Sequence, residues 1–357
     1  MKKYNDIVMN LFDEGLDGGR EAASIYPVGK AKNLYDRWLP TKITPVFDTY
    51  WKFATERQSI FFNRLYRNDG CLTEDAILQT YKFTNAYRAS DRVSQYLIRH
   101  VIYEGDQSPN EVFFRIILFK TFNKIETWKM LREKIGEISY KEYDFIHYDR
   151  ILTKALEERR SIYSAAYIMP SGSGSFGHKY KHRNHLKLIE KMMHDNLPNH
   201  ICNAKSMQHV FELLRGYPMI GDFLAYQYAI DINYSELIDY SENSFVMPGP
   251  GAKDGIRKCF SDYGGLSEID LIKCMVDRQE EECSRLGIKF QTLWGRPLHL
   301  IDCQNLFCEV DKYARIKHPQ FKGLSRRMRI KQKYRMNPQP IDYWYPPKWG
   351  INEFIMK

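Results

Sequence analysis

The sequence lacks most of the features that would settle its class at once. No apolar run approaches the roughly 20 residues that a bilayer-spanning helix needs. The opening "MKKYNDIVMNLFDEGLDGG" puts acids and glycines where a secretory leader needs an unbroken apolar stretch. A cytoplasmic protein with no membrane partner is therefore expected. The seven cysteines (71, 202, 259, 274, 283, 303 and 308) form no C-x-x-C pair and no Cys/His group with zinc spacing. Their odd number and scatter exclude a disulfide framework, predict free and mostly buried thiols, and leave no metal or cofactor to expect. A nucleotide P-loop is also missing. In its nearest approach, "GSGSFGHK", His178 stands where that motif has lysine and Lys179 where it has Ser or Thr. This counts against a self-contained kinase. Alternating β patterns are scarce, and no stretch repeats.

What is present points to a helical, DNA-facing protein. The 357 residues suffice for one large or two modest domains. Aromatics make up 14%, and 25 Tyr exceed 20 Phe, so many rings carry a hydroxyl suited to a polar pocket. The net charge of +9 favours a polyanionic partner. We read residues 1–44 as an irregular arm, 45–324 as an all-α domain, and 325–357 as a basic, Pro/aromatic-rich tail. Helical patterns fill "VFDTYWKFATERQSIFFNRLY", "TEDAILQTYKFTNAYRASDRVSQYLIRHVIY" and "SPNEVFFRIILFKTFNKIETWKMLREKI", then about 139–166 and 266–286. Thr73 and Ser108–Pro109 are plausible helix starts.

The segment 245–260, "FVMPGPGAKDGIRKCF", fits the helix–hairpin–helix template h-P-G-x-G-x-x-x-[AG]. Met247 is its apolar lead, and Gly255 its small residue where two helices touch. Gly249 and Gly251 would leave N–H groups bare for a DNA phosphate at a helix start. An ordinary glycine-rich loop is the plain alternative. Downstream, Asp302 begins a helix, with Asn305, Glu309 and Lys312 on its polar stripe. A simple helix cap is the competing role for Asp302.

Read as one helix, "TNAYRASDR" aligns Tyr81, Asn85, Arg88 and Arg92 on a stripe, with Tyr87 and Asp91 beside it. Tyr suits stacking on a flipped base, and Asn, Arg and Asp suit its edges; a solvated charged face is the alternative. Lys120 and Asn123 are polar points in an apolar helix and suit the same cavity. Asp222, Gln227 and Asp231 join them or serve core packing. Lys179, Lys181 and Arg183, with Arg326 and Arg327, interleave cations with Tyr as a DNA surface would.

Five segments carry a resemblance: "FTNAYRASDRVSQYL" (83–97), "FFRIILFKTFNKIETW" (113–128), "GDFLAYQYAIDINYS" (221–235), "PGPGAKDGIRKCF" (248–260) and "IDCQNLFCEVDKYAR" (301–315). Together they resemble the helical family of phage thymine-hypermodification proteins. That family takes in the helical domain of 5-hydroxymethyl-deoxyuridine DNA kinases and α-glutamyl/putrescinyl-thymine pyrophosphorylases. It has been linked to helix–hairpin–helix DNA glycosylases, antiviral ones among them.

The resemblance implies a glycosylase-like fold and a double-stranded DNA partner carrying modified bases. It implies excision of a modified pyrimidine with Asp302 as the catalytic carboxylate. Lys253 falls where bifunctional glycosylases carry their Schiff-base lysine, although a phosphate contact is its commoner role. Two departures stand out. Asp302 follows Gly251 by 51 positions, more than ordinary glycosylases allow, and the four-cysteine iron–sulfur loop is missing. The alternatives are group transfer onto a 5-hydroxymethyl pyrimidine and a non-catalytic reader of modified DNA. A monomer is favoured.

Overall fold

The computed structural model describes residues 34–35, 41–66 and 72–355. Cys71 and most of the expected N-terminal arm lie outside them. The described chain is mostly helical, as its periodicity requires. It runs α1 (Pro45–Tyr66), α2 (Ala76–Thr80), α3 (Arg92–Leu97), α4 (Pro109–Phe122), α5 (Ile125–Ile135), α6 (Phe145–Glu157) and α7 (Ser173–Phe176). There follow α8 (Lys181–His194), α9 (Leu197–Cys202), α10 (Met207–Arg215), α11 (Asp222–Asn233), α12 (Pro250–Cys259), α13 (Glu268–Asp277), α14 (Gln279–Arg285) and α15 (Leu300–Lys317). Two short strands, β1 (Lys42–Ile43) and β2 (Phe260–Asp262), pair antiparallel.

The helix start expected at Thr73 falls two residues later, on Asp75, while the one at Ser108–Pro109 stands. Asp75 caps α2 through Ile77 and Leu78 N–H, Ser108 precedes Pro109 at the first turn of α4, and Ser267 with Asp270 forms a capping box on α13. Helices α4 and α11 are apolar nearly all round. Every residue from Glu111 to Phe122 and from Leu224 to Asn233 is buried, so both helices run through the interior. Helix α15 packs on α1, α12 and α13, whereas α4 packs on α8, α9 and α11. The six described cysteines are free, four of them buried.

The segment expected as one helix over 73–103 is instead broken. Helix α2 ends at Thr80, Tyr81 bridges Lys333 antiparallel, and Lys82 N–H donates to the Gln332 carbonyl at 3.1 Å. Asn85 N–H goes to Asp91 Oδ1 at 2.9 Å. A short 3-10 turn (Arg88–Ser90) follows before α3, which continues as a π-turn through Ile102. Partners from the far end of the chain thus replace the helical ladder. Tyr81, Asn85, Arg88 and Arg92 do not share a stripe.

The basic C-terminal segment is part of the body. Tyr345 is fully buried and its hydroxyl meets Ser90 Oγ at 2.8 Å; Ile351 is buried as well. Arg92 donates to the Gln339 carbonyl and Lys348 to the carbonyls of Ser235 and Ile238. At the other end, Leu34 and Tyr35 N–H groups bind the Asp277 carboxylate.

Candidate functional site

The 3-10 turn delivers Arg88 into the interior, where the α15 group meets α4 and α11. Its own N–H donates to Asp302 Oδ1 at 2.8 Å, which anchors the turn on α15. The guanidinium then reaches α11. Arg88 Nε donates to Gln227 Oε1 at 2.9 Å, and Nη1 lies 2.7 Å from Asp231 Oδ1 and 3.2 Å from the Tyr234 hydroxyl. Gln227, Asp231 and Tyr234 stand four and three residues apart, so one face of α11 presents all three. From α4, Lys120 Nζ lies 3.2 Å from Asp231 Oδ2 and donates to Asn123 Oδ1 at 2.8 Å. Asn123 takes a left-handed conformation (φ 49°) where α4 ends.

The cluster is covered by a half-buried aromatic pair. The rings of Tyr167 and Phe223 stack at 5.7 Å with 8° between planes, and Lys120 Nζ lies 4.4 Å from the Tyr167 centroid. Tyr167 holds φ at 55°, a left-handed conformation uncommon for Tyr. Gly249 brings the hairpin turn against this pair, since a Cβ there would sit 2.7 Å from Phe223 and 3.6 Å from Gln304 Nε2. Gln304 in turn lies 3.5 Å from Gln227.

Two cations face one carboxylate here, all three nearly inaccessible to solvent. Burial pulls Lys120 down to about 8 even with Asp231 beside it. A buried group of three with one net positive charge is expensive unless a ligand or network repays it. Clusters of this kind concentrate at functional sites.

The structure thus brings Arg88, Lys120, Asn123 and Gln227 together, Lys120 and Asn123 being the polar points expected in an apolar helix. Asp231 is the acid that unites them. Tyr167, Phe223, Tyr234 and Gln304 escaped the sequence reading. Tyr234 was legible as a helix-face neighbour of Gln227, but nothing in the local pattern marks Tyr167.

The other expected residues lie elsewhere. Asp302 is 4% exposed and sits in the first turn of α15, with His299 rather than Asp302 as the N-cap. Its second oxygen accepts His299 N–H at 3.1 Å, so both oxygens are occupied by backbone donors. Burial, and next the Glu242 charge, raise its carboxyl to about 7. Lys253 lies on the surface of α12, 3.4 Å from Glu268. Tyr87 is a core residue whose hydroxyl donates to the Arg296 carbonyl. Glu309 accepts Thr84 N–H and pairs with Lys312, fixing the 81–87 segment, and Asn305 is half-buried beside it. Asn85, Asp91 and Arg92 line a separate cleft, while the Tyr81 ring lies under Lys333.

The hairpin glycines serve packing. A Cβ on Gly251 would meet Cys308 Sγ at 2.4 Å, and one on Gly255 would meet the Phe307 carbonyl at 2.0 Å. Residues 234–249 ahead of the turn are not helical. Of the basic residues, Lys179, Arg326 and Arg327 are exposed, Lys181 lies over the Tyr163 ring, and Arg183 pairs with Asp149. Among the described residues no helix is long and apolar enough to cross a membrane, and no group of three His, Cys, Asp or Glu is placed to share a metal ion.

Residues 44–323 match the family model described as 5-hmdU DNA kinase, helical domain. A curated relative, the 5-hmdU DNA kinase of Bacillus phage SP10, is 26% identical over 289 residues, covering 75% of this chain and 45% of that protein. The chain therefore spans a little under half the length of that relative. No solved structure matches. The Arg88, Lys120 and Asp231 cluster, the hairpin turn and α15 all fall within the matched span, and the chain belongs to the family of 5-hmdU DNA kinase helical domains.

Proposed function

We propose that this chain recognises a 5-hydroxymethyl pyrimidine in DNA and serves group transfer onto its hydroxymethyl oxygen. The reacting nucleotide would be held at the Arg88, Lys120 and Asp231 cluster. The observation that carries the reading is the cluster itself: two cations and one carboxylate, buried under a stacked aromatic pair, where the five resembling segments meet. Arg88 and Gln227 offer donors to base carbonyls, and Phe223 offers a stacking face. Asp231 would accept the hydroxymethyl proton as that oxygen attacks the terminal phosphorus of a nucleoside triphosphate and the nucleoside diphosphate leaves, and Lys120 and Arg88 would neutralise charge on the transferred phosphoryl group. The activated donor would be supplied by a separate nucleotide site.

Group transfer is favoured over base excision because the curated relative is a DNA kinase. The deciding experiment compares duplexes that carry thymine or 5-hydroxymethyluracil at one position. Preferential binding of the hydroxymethyl duplex, abolished by Asp231→Asn and Lys120→Met, supports the reading. Release of free base with abasic-site formation would replace it with excision, and equal binding of both duplexes would remove the base-recognition claim.

A further inference from the structure

A second site stands apart from the buried cluster. The strand-like segment 81–91, α1 and the C-terminal residues 333–343 enclose a cleft of about 740 Å³. Six cations line it: Arg57, Arg64, Lys82, Arg92, Lys333 and Arg335. Asp91 is the one acid among its described lining residues. Among the described residues none of the six cations forms an ion pair. Arg57 is spent on the Thr84 carbonyl and Asn85 Oδ1, and Arg64 and Arg92 donate to carbonyls of 337–340. Arg64 and Arg92 repel one another, and burial together with that repulsion lowers the affinity of Arg92 for its own proton. So many like charges gathered around a single lining acid favour an anion. Tyr334, 39% exposed, offers a ring at the mouth. Asp91 Oδ1 accepts Asn85 N–H, which leaves Oδ2 as an acceptor for a ligand N–H.

We propose that this cleft binds a nucleotide, with its phosphate held by Lys82, Arg92 and Arg335 and its base laid on Tyr334 with an N–H toward Asp91. The volume suits one nucleotide. A free nucleotide and one link of a single strand present the same base-plus-phosphate chemistry. A third of the wall comes from residues beyond 323, outside the span shared with the family. The cleft shares no residue with the buried cluster, so the site is independent of the function proposed above.

The test titrates the full chain with fluorescein-labelled oligothymidylate, followed by anisotropy at several salt concentrations. Thymidine 5′-monophosphate and thymidine serve as competitors. The Lys82→Ala/Arg335→Ala variant alters two exposed side chains, and its thermal melt checks the fold. The expected result is binding that weakens about tenfold or more in the variant, with a shallower salt dependence. Displacement of the label by the monophosphate but not by thymidine assigns a free-nucleotide site. The same loss in the variant without displacement assigns one link of a strand. The proposal is overturned if the folded variant binds both probes as the parent does, or if the parent binds neither.

Discussion

At the scale of single residues, Asp302 and the pair Lys120 and Asp231 make opposite predictions. Asp302 accepts two backbone N–H groups, so Asp302→Asn would turn an amide NH2 against one of them. A loss of about 1–3 kcal/mol is expected in urea unfolding, and unchanged stability would show that the capping contact matters little. The sign of the pH effect is also fixed. The folded-state value of about 7 lies above the ordinary carboxylate value of 3.8. Its contribution is therefore complete below that ordinary value and lost as pH rises through about 7. Stability of Asp302→Asn should be flatter than the parent's across that window. Lys120→Met, by contrast, removes a buried cation that burial already disfavours. It should leave the melting temperature near or above the parent's while abolishing preference for hydroxymethyl DNA. A severe drop in melting temperature would mark Lys120 as structural instead.

Elements were legible in the sequence where one helix contains its own reasons. The apolar runs of α4 and α11, the cap at Ser108 and the Pro–Gly start of α12 each sit within a dozen residues, and the helices follow. Lys120, Asn123 and Gln227 were legible for the same reason, as polar residues inside apolar stretches, whereas Arg88 was singled out on a helical stripe that does not form. The break at 81–87 was not legible, because its hydrogen-bond partners are residues 332–334, far along the chain. Tyr167 sits on an irregular loop, where no periodicity reports which way a ring faces. The hairpin motif was legible as a turn, and its glycines also pack α12 closely against α15. Since Gly255 touches the Phe307 carbonyl, Gly255→Ala must push α12 off α15. A loss of roughly 1–3 kcal/mol or more is expected, read by denaturant unfolding. An unaffected variant would mean that the two helices slide apart freely.

For the whole molecule, the residues beyond 323 are the informative ones. They lie outside the family match yet bury Tyr343, Tyr345 and Ile351 against the body. Removing residues 324–357 should expose the Ser90 to Val93 region and lower the melting temperature by several degrees at least. A truncated chain that melts like the parent would show that this segment merely rests on the surface.

The bridge between Tyr81 and Lys333 also sets an order of events during synthesis. A growing chain releases the 81–91 segment well before residues 332–334, which complete its hydrogen bonds. Until then Arg64 and Arg92 have no carbonyls from 337–340 to meet, and part of the wall of the cleft is missing. Joining ends so far apart in sequence costs chain entropy that local helices never meet. Competence of the cleft therefore waits on residues 333–343, and a chain cut off before them lacks that part of its wall.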